Sequence, residues 1–155
     1  MPMARVHVRS WQAAYRGLLP EDYLDSLKAE ERAARYNFSD QDGPFPRAIV
    51  AEDDGVVVGL AMKGPCRDGS EAGELYAIYV DPAHWSHGAG RLLMSTSRRH
   101  LYGQGYRQAV LWALKGNDRA RRFYLADGWE LDGGQKTERV WGVQVEEERY
   151  HRALA

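Results

Sequence analysis

The sequence has few of the features that crosslink a protein or anchor it in a membrane. Its 155 residues include a single cysteine, Cys66, which excludes an intramolecular disulfide and a cysteine zinc cluster within the chain. No apolar run reaches the roughly 18 residues of a membrane span. Residues 1–10 carry Arg5, His7 and Arg9 and lack the apolar stretch of a signal peptide. We therefore expect a cytoplasmic protein with no membrane partner.

The chain also lacks a charge excess of either sign. The 21 Lys and Arg residues are balanced by 22 Asp and Glu, for a net charge of −1. Proteins that grip DNA or RNA are usually more basic, so we do not expect nucleic acid as a partner. Residues 1–84 nevertheless carry a net −5 and residues 85–155 a net +4. The basic second half has two readings, ordinary surface variation or contact with an anion.

The length and a hydrophobic content of 44% suit one domain, residues 1–155, with a substantial core. Ala4, Val8, Trp11, Tyr15 and Leu18 recur at helical spacing and predict a first helix, with a break at Gly17. A second helix is predicted from Pro20 to about Tyr36, followed by a loop over 39–46. Shorter patterns predict strands at 47–52, 56–62 and 74–80, a helix at 88–102, a strand at 108–114, a helix at 118–126, a strand at 128–131 and a hairpin-like tail. This order implies a mixed α/β sheet with helices on both faces.

In the third predicted strand, alternation places side chains on two faces. One face carries Leu75, Ala77 and Tyr79, and the other carries Glu74, Tyr76, Ile78 and Val80.

The most informative stretch runs from Tyr76 to Leu93, where a buried strand leads through a loop and Gly88-Ala89-Gly90 into a helix. The first N–H groups of a helix have no intrahelical partner, and the helix dipole places about half a positive charge there. Glycine lets a phosphate approach the backbone closely. The stretch predicts an anion cradle, although a tight turn that needs small residues would have the same pattern. It is neither a Walker loop nor a full dinucleotide fingerprint.

A second motif comprises Asn117, Ala120, Phe123 and Tyr124, followed by Gly128-Trp129. By itself it indicates a helix capped by Asn117 with aromatic residues toward the core. Together with the glycine loop, it resembles the GNAT superfamily of acetyl-coenzyme A-dependent N-acetyltransferases. That family combines Gln/Arg-x-x-Gly-x-Gly/Ala before a helix with a later Asn-x-x-Ala-x-x-Phe-Tyr-x-x-x-Gly-Phe/Trp. The resemblance covers nearly the whole chain and includes residues 11–20 and 147–152.

The sequence departs from the family pattern at three places. Trp85 occupies the leading Gln/Arg position, so phosphate contacts there would come from the backbone. His87 stands where a Lys or Arg is common, and a neutral histidine attracts an anion less than a fixed cation does. The family also has a short strand before the first helix, and here that strand is either absent or removed by a truncated start of the sequence. The resemblance otherwise implies a GNAT fold with a mixed, mostly antiparallel twisted sheet.

The resemblance implies direct transfer of an acetyl group from acetyl-CoA to a primary amine of a small molecule or peptide. It assigns Tyr124 as the general acid for the thiolate and Glu74 as the base for the amine. A solvated Glu74 at a strand end and a packing role for Tyr124 are the alternatives. The cofactor-binding residues that it implies are Ile78, Val80, His87, Gly88, Ala89, Gly90, Arg91, Asn117 and Ala120.

Relatives build the acceptor pocket from the first helices and the final hairpin, which nominates Trp11, Tyr15, Tyr36 and Trp141 as lining residues. Each of them would also serve as a core residue. Two other functions remain open, an aminoacyl transferase that uses charged tRNA as donor and a non-catalytic module that binds acyl-CoA. Relatives also suggest a homodimer.

No metal is expected as a cofactor. His84 and His87 lie three residues apart, with no ligand set beyond Asp81. A serine hydrolase is not indicated either, because no Gly-x-Ser-x-Gly elbow exists.

Overall fold

The computed structural model describes residues 2–33, 45–140 and 143–154. The helices are α1 (Pro2–Ala14), α2 (Glu21–Asp25), α3 (Ala29–Ala33), α4 (Ala89–Gly103) and α5 (Asp118–Ala126), with one 3₁₀ turn at Pro82–His84. The strands are β1 (Ala48–Asp53), β2 (Val56–Pro65), β3 (Gly73–Val80), β4 (Gln108–Leu114), β5 (Glu130–Val140) and β6 (Val143–Ala153). In this part of the chain the strands form one six-stranded sheet, in the order β1-β2-β3-β4-β6-β5.

The order of elements agrees with the prediction from sequence, and β4 and α5 have the predicted bounds. The long second helix is wrong, because α2 ends at Asp25 and α3 begins only at Ala29. Ser26 ends α2 by donating its hydroxyl to the carbonyl oxygen of Tyr23 at 2.6 Å. The predicted helix end at Tyr36 and most of the loop over 39–46 lie outside the described residues. The first described residue, Pro2, is already part of α1, so the described residues contain no strand ahead of this helix.

The C-terminal third forms more sheet than the sequence suggests. The prediction was a strand at 128–131 and a short hairpin, whereas β5 and β6 are two strands of 11 residues each. Their outer positions are polar, so hydrophobic alternation is weak. Residues 147–153 of β6 pair with the whole of β4, and this pairing supplies the order that the hydrophobic pattern does not show.

The neighbouring strands pair antiparallel except for β3 and β4, which run parallel. A parallel pair needs a crossover connection, and α4 provides it. His7 of α1 stacks on Tyr79 with ring centroids 4.3 Å apart, while Leu93 of α4 packs in one cluster with Val80. Adjacent strand residues point to opposite faces, so α1 and α4 cover opposite faces of the sheet. The predicted mixed sheet with helices on both faces is confirmed.

A bulge in β3 changes which residues share a face. Met62 of β2 pairs with Ala77 and Lys63 pairs with Leu75, which leaves Tyr76 without a partner on β2. Beyond the bulge, Ile78 joins Leu75 in the core beneath α4. The strict alternation expected for this strand is therefore wrong. Glu74, which precedes Leu75, does not share a face with Ile78 and Val80.

None of the helices in the described ranges is long and apolar enough to cross a membrane.

Candidate functional site

The two parallel strands at the centre of the sheet are paired over only three residues each. Gly73–Leu75 pair with Ala109–Leu111. Beyond this point β3 stays paired with β2 and β4 with β6, and the two strands separate from each other. A cleft of about 550 Å³ opens along the gap, lined by residues 76–80 of β3 and by Trp112 and Ala113 of β4. The gap leaves backbone hydrogen-bonding groups of the two strands available to an extended ligand.

The N-terminus of α4 lies at this cleft. Its N-cap, Gly88, has a φ of 89° in the left-handed region and makes no side-chain cap hydrogen bond. The unpaired N–H groups of the first helical turn therefore have no side-chain acceptor at the cap. Gly90 lies against the Phe123 ring: a Cβ built at this glycine would be 3.5 Å from two carbons of that ring. The cleft here is lined by Gly88, Gly90 and Arg91, but not by His87 or Ala89.

The loop before α4 is held by Trp85, which replaces the family's Gln or Arg. The indole N–H of Trp85 donates to the carbonyl oxygen of Val80 at 2.9 Å. The guanidinium carbon of Arg119 lies 3.8 Å from the centroid of the Trp85 ring, in cation–π contact. Three exposed arginines, Arg91, Arg119 and Arg122, line this end of the cleft and make it positive. Part of the basic charge in the second half of the sequence is thus gathered at the helix N-terminus.

Tyr124 of α5 lines the middle of the cleft and is buried, with its ring centroid 5.5 Å from that of Tyr150. Burial raises the pKa of the Tyr124 hydroxyl well above its ordinary value, and the nearby phenols of Tyr79 and Tyr150 raise it further. The hydroxyl therefore remains protonated near pH 7 and can act as a proton donor.

Asn117 positions the start of α5 beside the cleft. Its side-chain oxygen accepts a hydrogen bond from the N–H of Ala120 at 3.2 Å and caps the helix. Its side chain also hydrogen-bonds Tyr15, which follows α1 and lines the cleft from the other side. Burial raises the pKa of Tyr15 well above its ordinary value, and nearby Tyr79, Tyr124 and Glu147 raise it further. Asn117 therefore links the two layers of the fold at the site.

Glu74 lies at the start of β3 and does not line the cleft. Its side chain is buried and accepts hydrogen bonds from three N–H groups of Arg67, two at 3.0 Å and one at 2.5 Å. Arg67 also stacks on Tyr76, 5.0 Å from the ring centroid. This geometry gives Glu74 an ion pair with Arg67 in the connection between β2 and β3, and its role as the base stays a prediction.

Most of the other predicted site residues come together. The cleft is lined by Ile78, Val80, Gly88, Gly90, Arg91, Asn117, Ala120 and Tyr124. Of the nominated acceptor residues, Tyr15 lines the cleft and Trp11 is buried in the cluster with Leu24 and Val145. Tyr36 and Trp141 lie outside the described residues.

The sequence reasoning missed Trp112 of β4, which lines the cleft. It also missed the carboxyls of Glu138 and Glu147, which hydrogen-bond to each other on the β5–β6 hairpin. The only signal for the pair was the acidic run at 146–148, which does not show which of its members faces a strand partner. Across the described ranges, no group of three or more His, Cys, Asp or Glu side chains is arranged to hold a metal ion.

This fold is shared with solved N-acetyltransferase structures. PaiA N-acetyltransferase from Thermoplasma acidophilum, solved in complex with coenzyme A, gives a TM-score of 0.65 at 18% identity, over 94% of this chain and 88% of that one. Ribosomal-protein-alanine N-acetyltransferase from Brucella melitensis gives a TM-score of 0.68 at 21% identity, over 97% and 94%. These similarities show that the chain shares its fold with these two structures.

The family follows from sequence comparison. The acetyltransferase (GNAT) family model matches residues 8–129, and the chain belongs to this family of acyltransferases. The relative named "Uncharacterized N-acetyltransferase YuaI" from Bacillus subtilis is 36% identical over 117 residues, which is 74% of this chain and 66% of the relative. Mycothiol acetyltransferase from Amycolatopsis mediterranei is 33% identical over 82% of this chain and 41% of its own length. The chain spans less than two thirds of the length of each of these two relatives. The match to the family model confirms the predicted family membership.

Proposed function

We propose that this protein transfers an acetyl group from acetyl-CoA to a primary amine of a small molecule or peptide by direct attack. The observation that carries the proposal is the separation of β3 from β4 beside a helix that begins at Gly88. An extended thiol cofactor with a pyrophosphate needs both an unpaired strand edge and an anion cradle. Family membership and the coenzyme A complex of a structural neighbour support acetyl-CoA as the cosubstrate.

In this proposal the pantetheine arm lies along the cleft and pairs with backbone groups at Ile78 and Val80. The pyrophosphate is held by N–H groups from Gly88 to Arg91, since no side chain caps that helix. The exposed arginines at the same end are placed to attract the remaining phosphate. Trp85 contributes by fixing the loop through Val80 and does not need to touch the phosphate.

Tyr124 is the proposed general acid. When the amine attacks the thioester carbon, the C–S bond breaks and a thiolate leaves. A phenol that stays protonated at neutral pH can donate its proton to that sulfur. Tyr124 has such a phenol and lies where the strands separate.

The acceptor amine would enter from the α1 side, where Tyr15 and Trp112 line the cleft. The proteins named above include a mycothiol acetyltransferase and a ribosomal-protein-alanine N-acetyltransferase. One is named for a small molecule and the other for a protein residue, so the proposal covers both kinds of amine.

The test begins with thermal unfolding in the presence and absence of acetyl-CoA. A ligand at about 100 times its Kd should add roughly 2.7 kcal/mol, which corresponds to several degrees in Tm for a domain of this size. Coenzyme A should produce a similar shift, and acetyl-CoA should then be turned over with members of a primary-amine panel. Stabilisation without turnover would favour an acyl-CoA-binding module. No shift, with activity lost after ribonuclease treatment of a charged-tRNA assay, would favour an aminoacyl transferase.

A further inference from the structure

A second polar cluster lies on the β5–β6 hairpin, next to residues that line the cleft. Glu147 of β6 pairs with Lys136 of β5 and with Leu114 of β4. Glu138 lies two residues further along β5, opposite Val145, on the same face as Glu147. The two carboxyls hydrogen-bond to each other, and we call Glu138 and Glu147 the carboxyl pair.

The carboxyl pair lies on the sheet face that α1 covers. Val145, two residues before Glu147, is buried with Trp11 and packs near Tyr15 and Leu114. Tyr15 lines the cleft and interacts electrostatically with both Glu147 and Tyr124. The Lys136 ammonium lies 4.2 Å from the centroid of the Trp112 ring, another lining residue. Glu147 does not itself line the cleft, but it interacts with Tyr15 and is paired with Lys136, which contacts Trp112, and both of these aromatic residues line the cleft.

The surroundings of Glu147 favour a carboxyl that exchanges its proton near neutral pH. Burial raises the pKa of Glu147 to about 7, with a further contribution from the hydrogen bond and charge of Glu138. The pKa of Glu138 is lowered, first by that shared hydrogen bond and then by Lys136 and Arg67. The charged and titratable groups that act on Glu147 or face it are Glu138 and Lys136 from β5, Arg67 from the β2–β3 connection, and Tyr15 from the end of α1.

Glu147 also differs from Glu74 in its hydrogen bonds. The Glu74 carboxylate receives three N–H groups from Arg67, and loss of that pairing would leave a buried charge. Glu147 instead shares its hydrogen bond with another carboxyl, an arrangement in which one group holds a proton and can release it.

We infer that Glu147, paired with Glu138, accepts the proton of an ammonium group at the acceptor end of the cleft, so that the acceptor is a cationic primary amine. This inference rests on the proposed acetyl transfer. The ammonium gives one proton to the Glu147 carboxylate, directly or through water, and the free amine forms the new C–N bond. The C–S bond breaks and the thiolate takes a proton from Tyr124. The second proton of the nitrogen returns to Tyr124 as the amide forms, and Glu147 releases the proton that it accepted to water. The products are one acetylated amine, one thiol and one released proton.

The test compares the pH dependence of kcat/KM in the wild type and in Glu147→Gln, with an amine that turns over in the panel. In the wild type kcat/KM should rise with pH up to about 7 and then level, since the base becomes deprotonated there. In Glu147→Gln, kcat/KM at pH 7 should fall about 100-fold and should follow the pKa of the free amine, about 10.4 for a lysine-like group. Glu138→Gln should move the wild-type inflection to lower pH.

The matched control is Glu146→Gln. Glu146 is the exposed neighbour of Glu147, points to the opposite face of β6 and pairs with Thr137. This control should keep the wild-type profile, and the acetyl-CoA-induced shift in Tm should be the same in all the variants. An inflection near pH 7 that persists in Glu147→Gln would overturn the inference. An inflection that disappears in Glu74→Gln instead would assign the base to Glu74.

A titration without turnover separates this inference from the proposed function. Carbon-13 NMR of the glutamate carboxyls should show one group that titrates near pH 7 in the wild type and is absent in Glu147→Gln. Failure of the proposed function would appear as no turnover by the wild type, while this titration would still report on the carboxyl pair. If no glutamate in the wild type titrates above its ordinary range, the inference is wrong.

Discussion

The acid role proposed for the Tyr124 hydroxyl depends on the surroundings of this side chain. On a surface it would be an ordinary phenol with a pKa of about 10. Inside the cleft, burial raises that pKa and holds the proton on the oxygen. The neighbouring Tyr150 is also buried and belongs to the same cluster, but it does not line the cleft.

For this reason Tyr124→Phe should lower kcat about 100-fold, the lower end of the range for general acid catalysis. The acetyl-CoA-induced shift in Tm should change little, because the ring and its packing remain. Steady-state kinetics with the responsive amine measures the first effect and thermal unfolding the second. Tyr150→Phe removes a buried hydroxyl 5.5 Å away, ring to ring, and serves as the control. If kcat of Tyr124→Phe equals that of the wild type, the assignment of Tyr124 as the general acid is wrong.

At the same scale, the family motif nominated residues whose surroundings differ. Asn117 caps α5 and Tyr124 lies seven residues later within it, and a helix places residues at this spacing on one face. Glu74 was nominated by its position on β3, but the bulge at Tyr76 changes which residues share its face, and Arg67 pairs with its carboxylate. A bulge depends on the register with a neighbouring strand, and that register is not a local property of the sequence.

Among the elements, α4 has the closest link between backbone conformation and proposed function. Its N-cap, Gly88, has a φ of 89°, which a residue with a Cβ adopts at a cost of about 1–2 kcal/mol. The same conformation sets the direction of the N–H groups in the first turn.

Gly88→Ala should therefore lower both stability and coenzyme A affinity. We expect about 1 kcal/mol less stability and roughly tenfold weaker binding, since 1.4 kcal/mol is a factor of ten. Urea unfolding and isothermal titration with coenzyme A measure the two effects. Gly105→Ala is the matched control, because Gly105 follows the other end of α4, has a φ of 101° and has no atom within 4 Å of an added Cβ. Gly105→Ala should lose a similar amount of stability and keep its affinity for coenzyme A. Equal losses of affinity in both variants would contradict the proposal that the N-terminus of α4 binds the pyrophosphate.

The long hairpin of β5 and β6 shows the limit of prediction at this scale. Its residues alternate weakly, so only a short strand and a hairpin were predicted. In the fold, β6 pairs with β4 from Gln108 to Leu114, and β5 then adds to the edge that β6 presents. The hairpin is stabilised by partners that are distant in sequence, and local propensity underestimates such strands.

The stability of the whole molecule depends on a buried lysine outside the cleft, Lys63 of β2. Its side chain is 1% exposed and its ammonium donates to the carbonyl oxygen of Pro46. Burial lowers the pKa of Lys63 to about 8, from 10.5. Between these values the unfolded chain binds a proton that the folded protein does not, so the stability contributed by this group rises with pH.

The difference in unfolding free energy between the wild type and Lys63→Met should therefore increase in favour of the wild type from pH 7.5 to pH 10. Urea unfolding at several pH values measures this difference, and other titrating groups cancel because both proteins contain them. Lys115→Met, at an exposed lysine, serves as the control and should show a nearly constant difference. A constant difference for Lys63→Met as well would mean that Lys63 is solvated in the folded protein.

The sequence by itself determined the order of elements, the glycine loop that begins α4 and the motif that begins with Asn117. These features depend on residues within a few positions of one another, where helical and strand periodicity act directly. The tertiary structure decided that β3 and β4 separate after three paired residues and that Tyr15 meets Asn117 across the cleft. It also brought Glu138 and Glu147 together, because strand register and burial are set by the packing of the whole sheet and not by any one segment.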